Sequence, residues 1–304
     1  MQLGARKRQK HFAVCAKQDH TGEVQAHGIL LEDELGDVLE KGMRCAGLSV
    51  DELSRLAEVP AGRLCDALDY RSDLDAAELG RVARVLGLNE VGVGALASAS
   101  YPLPEIGPLP FCVNVLSMRH GIGTANAYLI TECGADHGML FDAGGGLSEL
   151  MAVWPRSVTK LDAIFLTHAE PEHSGGFTDV MRHFAPQRAH FPVGMELRGG
   201  TPLAEPAVVA VGAFDVGVLS TPGHALAHNC YLVGMRSAPQ GTGLLVAGDL
   251  VFAGSAGGGY HCPTQTQGHL RRVMRSLPGT TVIAPGHGPM TTVAHECRYN
   301  PFLP

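Results

Sequence analysis

Residues Phe165 to Gly176 read FLTHAEPEHSGG, placing His168, Glu170, Glu172 and His173 within six positions, directly behind the apolar run Ala163-Ile164-Phe165-Leu166. Two imidazoles and two carboxylates at this spacing need compensation, and a cation supplies it. A solvated acidic loop accounts for the glutamates but not for two histidines at fixed offsets before Ser174-Gly175-Gly176. Three later segments repeat the form, an apolar run ending in a metal-competent residue beside glycine: STPGHALAH with His224, VAGDLVFAGS with Asp249, and APGHGP with His287. Ligands at strand ends are held by a rigid sheet, and the glycines let backbone turn tightly beneath an ion. Seven donors suffice for two ions: His168, Glu170 and His224 for one, Glu172, His173 and His287 for the other, with Asp249 bridging. A pair of ions about 3.5 to 4 Å apart shares a hydroxide that attacks an electrophile, while one ion polarises the substrate oxygen. Glu172 and Asp249 are the residues assigned to that catalysis.

The elements that must position these donors are short and β-rich: NAYLIT, GMLFDAGGG, AIFLTH, VVAVG, VGVLSTPG, LLVAGD and VIAPGHG, with helix-like stretches such as Gly268 to Leu277 between them. They predict a layered α/β domain with a mixed sheet. Upstream the period is helical, as in Leu53, Leu56, Ala57 and in Leu79, Val82, Ala83, Leu86. Ser49 and Asp51 are placed to cap the first of these helices and Asp75 the second. The two regimes meet at YPLPEIGPLP, Tyr101 to Pro110, whose four prolines cannot continue a helix. The expected division is an N-terminal extension (1–27), a helical domain (28–100), a Pro-rich linker (101–110) and a metal domain (111–304).

The chain has 304 residues, 45% hydrophobic and 17% charged, which describes a globular protein rather than a disordered or fibrous one. Its eight cysteines form no C-x-x-C pair, so most are expected to be buried thiols rather than a disulfide framework or zinc ribbon. The basic N-terminus lacks an apolar h-region and no stretch approaches a membrane span, which gives a cytoplasmic expectation with no membrane partner.

On these motifs the chain resembles the metallo-β-lactamase superfamily, whose signature is T-H-x-H-x-D-H followed by later His, Asp and His. The resemblance runs from about Cys112 to Pro304 and also takes in NAYLI, FDAGGG and PGHGPMTTVAHECRYNPFL. It implies an αββα sandwich. The segments around His224, Asp249 and His287 look like the glyoxalase II-like branch, which implies hydrolysis of a small ester, thioester or lactone by metal-bound hydroxide. The resemblance also implies that Asp142 braces the metal site rather than binding it, and His228 is given a similar supporting role. Tyr260 and His261, with Cys262, follow Asp249 closely enough to line a pocket.

Two departures separate the chain from that branch. Glu170 stands where the signature has its second histidine and Glu172 where it has aspartate. The run H-x-E-P-E-H-S-G is similar to the flavodiiron proteins, which bind two irons and reduce dioxygen or nitric oxide. Three carboxylates at the site favour harder ions, so of two divalent ions iron is favoured, with zinc and manganese as alternatives. No flavin phosphate loop follows the metal motifs, so the chain is expected to hold no flavin, and redox chemistry requires an electron-donor protein. The extra methylene of Glu172 leaves open a single-ion site of His168, Glu170, His224 and Asp249.

Gly47 to Leu88 resembles the Cro/repressor-type helix-turn-helix family, with a turn at Val59-Pro60-Ala61. Residues 28–100 carry seven Lys/Arg against fourteen Asp/Glu, and the would-be recognition segment holds Asp66, Asp69 and Asp73 beside Arg63 and Arg71. Such a face is repelled by phosphates, so DNA is not the expected partner. Packing, homodimerisation or cover for the metal-site mouth is expected instead. The basic run Arg6–Lys10 reads as a solvated terminus. Three functions follow in order: a metallo-hydrolase with a small-molecule substrate, a non-haem iron protein or sensor for a diatomic gas, and a DNA-binding regulator with a metal-containing sensor domain.

Overall fold

The computed structural model describes residues 31–303, except 73, 122 and 239–242. The N-terminal extension with Arg6–Lys10, and Asp73 of the helical segment, lie outside the described residues. Five helices come first: α1 (Leu35–Ala46), α2 (Val50–Ala57), α3 (Ala61–Leu68), α4 (Ala76–Leu86) and α5 (Glu90–Ala97). The first half of the α/β part holds β1 (Cys112–His120), β2 (Gly123–Thr131), β3 (His137–Phe141), α6 (Leu147–Val153), β4 (Lys160–Phe165), α7 (Pro171–Ser174), α8 (Phe177–Phe184), β5 (Arg188–Pro192) and β6 (Thr201–Leu203). The second half holds β7 (Val208–Val211), β8 (Phe214–Ser220), β9 (Asn229–Met235), β10 (Leu244–Gly248), β11 (Val251–Phe252), β12 (Ser255–Ala256), α9 (Pro263–Ser276), β13 (Val282–Pro285), β14 (Thr291–Thr292) and α10 (Val293–Tyr299). Among the described residues, β1 to β6 form one mixed sheet in chain order. The other runs β14-β13-β10-β9-β8-β7, with β11 and β12 as a separate hairpin.

Strand periodicity of two sorts the side chains into layers. On β4, Ala163 and Phe165 enter the core between the sheets, while Ile164 faces α6 and α8 on the outside. On β10, Leu244 and Val246 meet them from the second sheet, while Leu245 and Ala247 face outward toward α9 and α10. Near-continuous apolar runs such as LLVAG are what strands covered on both faces require. The result is helix, sheet, sheet, helix, the expected sandwich.

Two of the three expected caps form, while Asp51 lies within the first turn of α2. The Ser49 side chain accepts from Glu52 N (3.3 Å) at α2 and that of Asp75 from Glu78 N (2.8 Å) at α4. No strand precedes Cys112 among the described residues. The helical segment does not stand apart, however. Its buried Val38, Leu39, Leu53, Val82 and Val93 share one core with Leu245 and Ile283 of the second sheet, Leu270 of α9 and Phe302. The five helices therefore thicken the outer layer on that side.

The Pro-rich connector is likewise anchored. Tyr101 packs edge-on to His295 (5.6 Å) and Tyr299 (6.3 Å), and its hydroxyl donates to Glu296 (3.1 Å). Glu296 is buried and also accepts from Thr291 Oγ1 (2.7 Å), Asn300 Nδ2 (2.8 Å) and Gly254 N (3.1 Å). Glu296→Ala strands these donors, and a loss of about 3 kcal/mol is expected. Urea unfolding checks this; a loss under about 0.5 kcal/mol, the range of ordinary surface changes, contradicts it.

The cysteines depart from expectation. Cys112 and Cys133 are disulfide-bonded, because β1 pairs with β2 in a register that sets Cys112 opposite Thr131 and brings Cys133 to a Cα separation of 5.2 Å. Of the other described cysteines only Cys230 is buried. No described helix is long and apolar enough to cross a membrane.

Candidate metal centre

The donors gather where strands of both sheets end. β4 runs out at Phe165, and His168 then makes an isolated bridge to His228. Glu170 is extended (φ −62°, ψ 142°), as a residue before proline must be, and Pro171 opens α7, whose single turn carries His173 back toward His168. His224 lies in the turn after β8. Asp249 and His287 follow β10 and β13, parallel neighbours whose C-terminal ends lie side by side.

Two donor groups result, with ligand atoms in each within 4.8 Å of one another: His168, Glu170, His224 and Asp249; and His173, Asp249 and His287. In the first, His224 Nε2 is 3.0 Å from Glu170 Oε1 and 3.5 Å from Asp249 Oδ2, and His168 Nε2 is 3.9 Å from Glu170 Oε2. In the second, Asp249 lies 3.4 Å from both His173 Nε2 and His287 Nε2, which are 3.3 Å apart. Asp249 is common to both.

Neighbouring groups fix the ring tautomers. Asp142 takes a left-handed backbone (φ 62°) and accepts from Thr167 N (2.7 Å), Thr167 Oγ1 (2.9 Å) and His173 Nδ1 (3.0 Å). A carboxylate only accepts, so His173 carries its proton on Nδ1 and turns the Nε2 lone pair to the site. His287 Nδ1 donates to Thr124 O (2.8 Å) with the same consequence. Thr167 gives its hydroxyl proton to Asp142, so His168 Nδ1 donates to Oγ1 (2.9 Å) and its Nε2 is also free. His228 is the reverse case: Nε2 accepts from Asp249 N (3.2 Å) and Nδ1 donates to Thr221 Oγ1 (2.8 Å). Burial pushes its pKa well down, so it supports Asp249 as a neutral ring.

Buried His168 Nε2, both nitrogens of His224 and Asp249 Oδ1 have no hydrogen-bond partner. Buried polar atoms are normally satisfied, and converging lone pairs beside two carboxylates are satisfied together by a cation. The adjacent rings of His168 and then His224 hold the Glu170 carboxyl far below the usual range. Burial opposes ionisation of Asp249, yet positive charge on the His173 and His287 rings before any metal binds keeps its pKa well below normal. The donor set therefore fits a metal. Glycine is obligatory beside it at Gly286, where a Cβ would lie 2.1 Å from Asp249 Oδ1.

Six of the seven predicted donors meet in these groups. Glu172 does not: its Oε1 lies 3.4 Å from Nε2 of half-exposed His120, where the longer glutamate side chain carries the carboxylate. The grouped donors thus include two carboxylates, not three. Asp142 hydrogen-bonds to His173, and His228 to the backbone of Asp249. The Tyr260 ring lies 5.4 Å from that of His224. His261 is exposed, and its backbone N–H donates to Gly223 O (3.1 Å). Sequence reasoning passed over Thr167, although it sits inside the quoted segment, as well as Thr221 and His120. It also missed Glu32, 4.0 Å from His287 Nδ1, for which sequence spacing offers no signal.

Fold and donors together define a superfamily. The metallo-beta-lactamase superfamily model matches residues 120–287, over half of the chain, and the chain belongs to that superfamily. The probable metallo-hydrolase YqgX of Bacillus subtilis is 30% identical over 206 residues, 59% of this chain and 92% of that protein. The hydroxyacylglutathione hydrolase of Salmonella arizonae is 30% identical over 127 residues, 41% of this chain; the chain spans about half (47%) of that relative's length. Among solved structures, the BLEG-1 B3 metallo-beta-lactamase is 25% identical with a TM-score of 0.51, covering 62% of this chain and 98% of that one. ETHE1 from Myxococcus xanthus shares the fold at 23% identity and a TM-score of 0.50, covering 63% and 83%.

Proposed function

We propose that the chain is a metal-dependent hydrolase of a small ester, thioester or lactone. The observation that carries this reading is the pair of donor groups sharing Asp249, with Nε2 lone pairs turned inward by Asp142, Thr167 and Thr124 O. His168, Glu170, His224 and Asp249 would hold one ion and His173, Asp249 and His287 a second. Ions held there supply Lewis acidity toward a substrate carbonyl and lower the pKa of water. The protein's own contribution is orientation. Asp142 fixes His173, His228 fixes the backbone of Asp249, and Tyr260 walls the side of His224. Glu172, paired with His120, is kept as a proton-handling group at the edge rather than a ligand. The names of the Salmonella and Bacillus relatives support hydrolysis, and thioesters are the first substrates to try.

The position of Glu170 favours a second reading, a non-haem iron protein that reacts with dioxygen or nitric oxide, because a carboxylate replaces a softer neutral imidazole. One experiment separates the two. Full-length protein loaded with zinc or iron is offered an S-acyl glutathione, a p-nitrophenyl ester and a lactone, and its optical spectrum is followed on exposure to air. Turnover abolished by chelator supports hydrolysis; no turnover, with an oxygen-dependent absorption change in the iron form, supports the second reading.

Regulation through DNA is not proposed. Arg63 pairs with Glu78 (2.6 Å), and Arg71 with Asp66 (2.8 Å) and Asp69 (3.0 Å), so the basic groups of the would-be reading helix and its turn are already matched by acids. A gel-shift assay at physiological salt is expected to show no sequence-selective binding; nanomolar retention of one duplex contradicts this.

A further inference from the structure

The helical segment meets the α/β part beside the donor groups as well as through the shared core. From α1, Lys41 Nζ donates to Ala256 O (2.7 Å) and Arg44 Nη1 to Gly258 O (2.8 Å). These carbonyls flank Gly257, whose backbone lies directly behind two donors: a Cβ there would fall 1.8 Å from Asp249 O and 3.0 Å from His224 Nδ1. Lys41 is itself fixed by an ion pair with Asp33, which also accepts from Ser255 Oγ on the same hairpin. The Arg44 guanidinium lies 5.2 Å from the centre of the Tyr260 ring, and that ring packs against His224. Just before α1, Glu32 approaches His287 of the other donor group.

We propose that Arg44 and Lys41 are positioning residues for the metal centre, so that the helical segment is its supporting arm. α1 grips the peptide groups on either side of Gly257 and keeps that segment pressed against His224 and the backbone of Asp249. His224 is the donor histidine whose Nδ1 has no hydrogen-bond partner, so its orientation depends on packing from Gly257 and Tyr260. Releasing the grip lets the imidazole swing and weakens the ion it shares with Glu170. The inference rests on the reading of His224 and Asp249 as ligands.

Zinc affinity of the full chain, measured by competition with a chromophoric chelator, tests it alongside the melting temperature of the metal-free protein. Arg44 is a surface residue, about a third exposed (35%), and its replacement leaves the core intact. Arg44→Ala is expected to weaken zinc binding about tenfold, at the lower end for groups that orient ligands, with unchanged metal-free melting. Arg44→Lys, which keeps charge and a donor, is expected to restore most of the affinity. Wild-type affinity in Arg44→Ala overturns the inference alone. So does a parallel fall in metal-free melting that Arg44→Lys fails to rescue, since that marks a general structural role. A wild-type chain that binds no zinc, iron or manganese overturns the reading of the site, and this inference with it.

Discussion

Asp249→Ala is expected to remove both ions at once and take metal-dependent turnover down to background. Asp249 is the one residue common to the two donor groups, within 3.5 Å of His173, His224 and His287. Its loss removes an anion from each group and leaves histidine lone pairs facing one another in a buried site, so affinity should fall by well over about 100-fold, beyond the range seen for supporting residues. Metal analysis after dialysis checks this. Retention of either ion at wild-type level shows that Asp249 is not shared.

Glu170→Ala should act on one group only. The carboxylate is 3.0 Å from His224 and 3.9 Å from His168, and the second group does not use it. The first ion should be lost preferentially while the second is retained. Glu170→His should instead preserve occupancy and move preference toward zinc over iron, since imidazole is the softer neutral donor. Competition between zinc and iron in the two variants reads this directly. An alanine variant with full metal content would mean the carboxylate serves only as an acceptor for His224.

Most of the candidate site was legible because residue types able to bind metal recur at its strand ends, and strand ends show in sequence as apolar runs broken by glycine. His168, His224, Asp249 and His287 each carried that mark. Glu172 carried it too, yet the rotamer that sends its carboxylate to His120 depends on β1, some fifty residues away in the chain. Asp142 was reached by resemblance, but the bracing by Thr167 and Thr124 O was not, because hydroxyls and carbonyls leave no distinctive spacing. The helix-to-strand switch at Tyr101 was equally readable from periodicity. What it concealed was that α1 to α5 share a core with the second sheet, since an apolar helix face looks the same whether it meets another helix or a neighbouring layer. The Cys112–Cys133 pairing was missed for a related reason: strand register, not cysteine spacing, brings the two together.

The central claim is that these six residues ligate metal, and an anomalous-difference map from crystals of the metal-loaded full chain tests it most directly. Two peaks are expected, one at about 2.0 to 2.2 Å from nitrogen and oxygen atoms of His168, Glu170, His224 and Asp249, the other likewise on His173, Asp249 and His287. A map without a peak between these side chains, or with Glu170 turned away from the first one, contradicts the account.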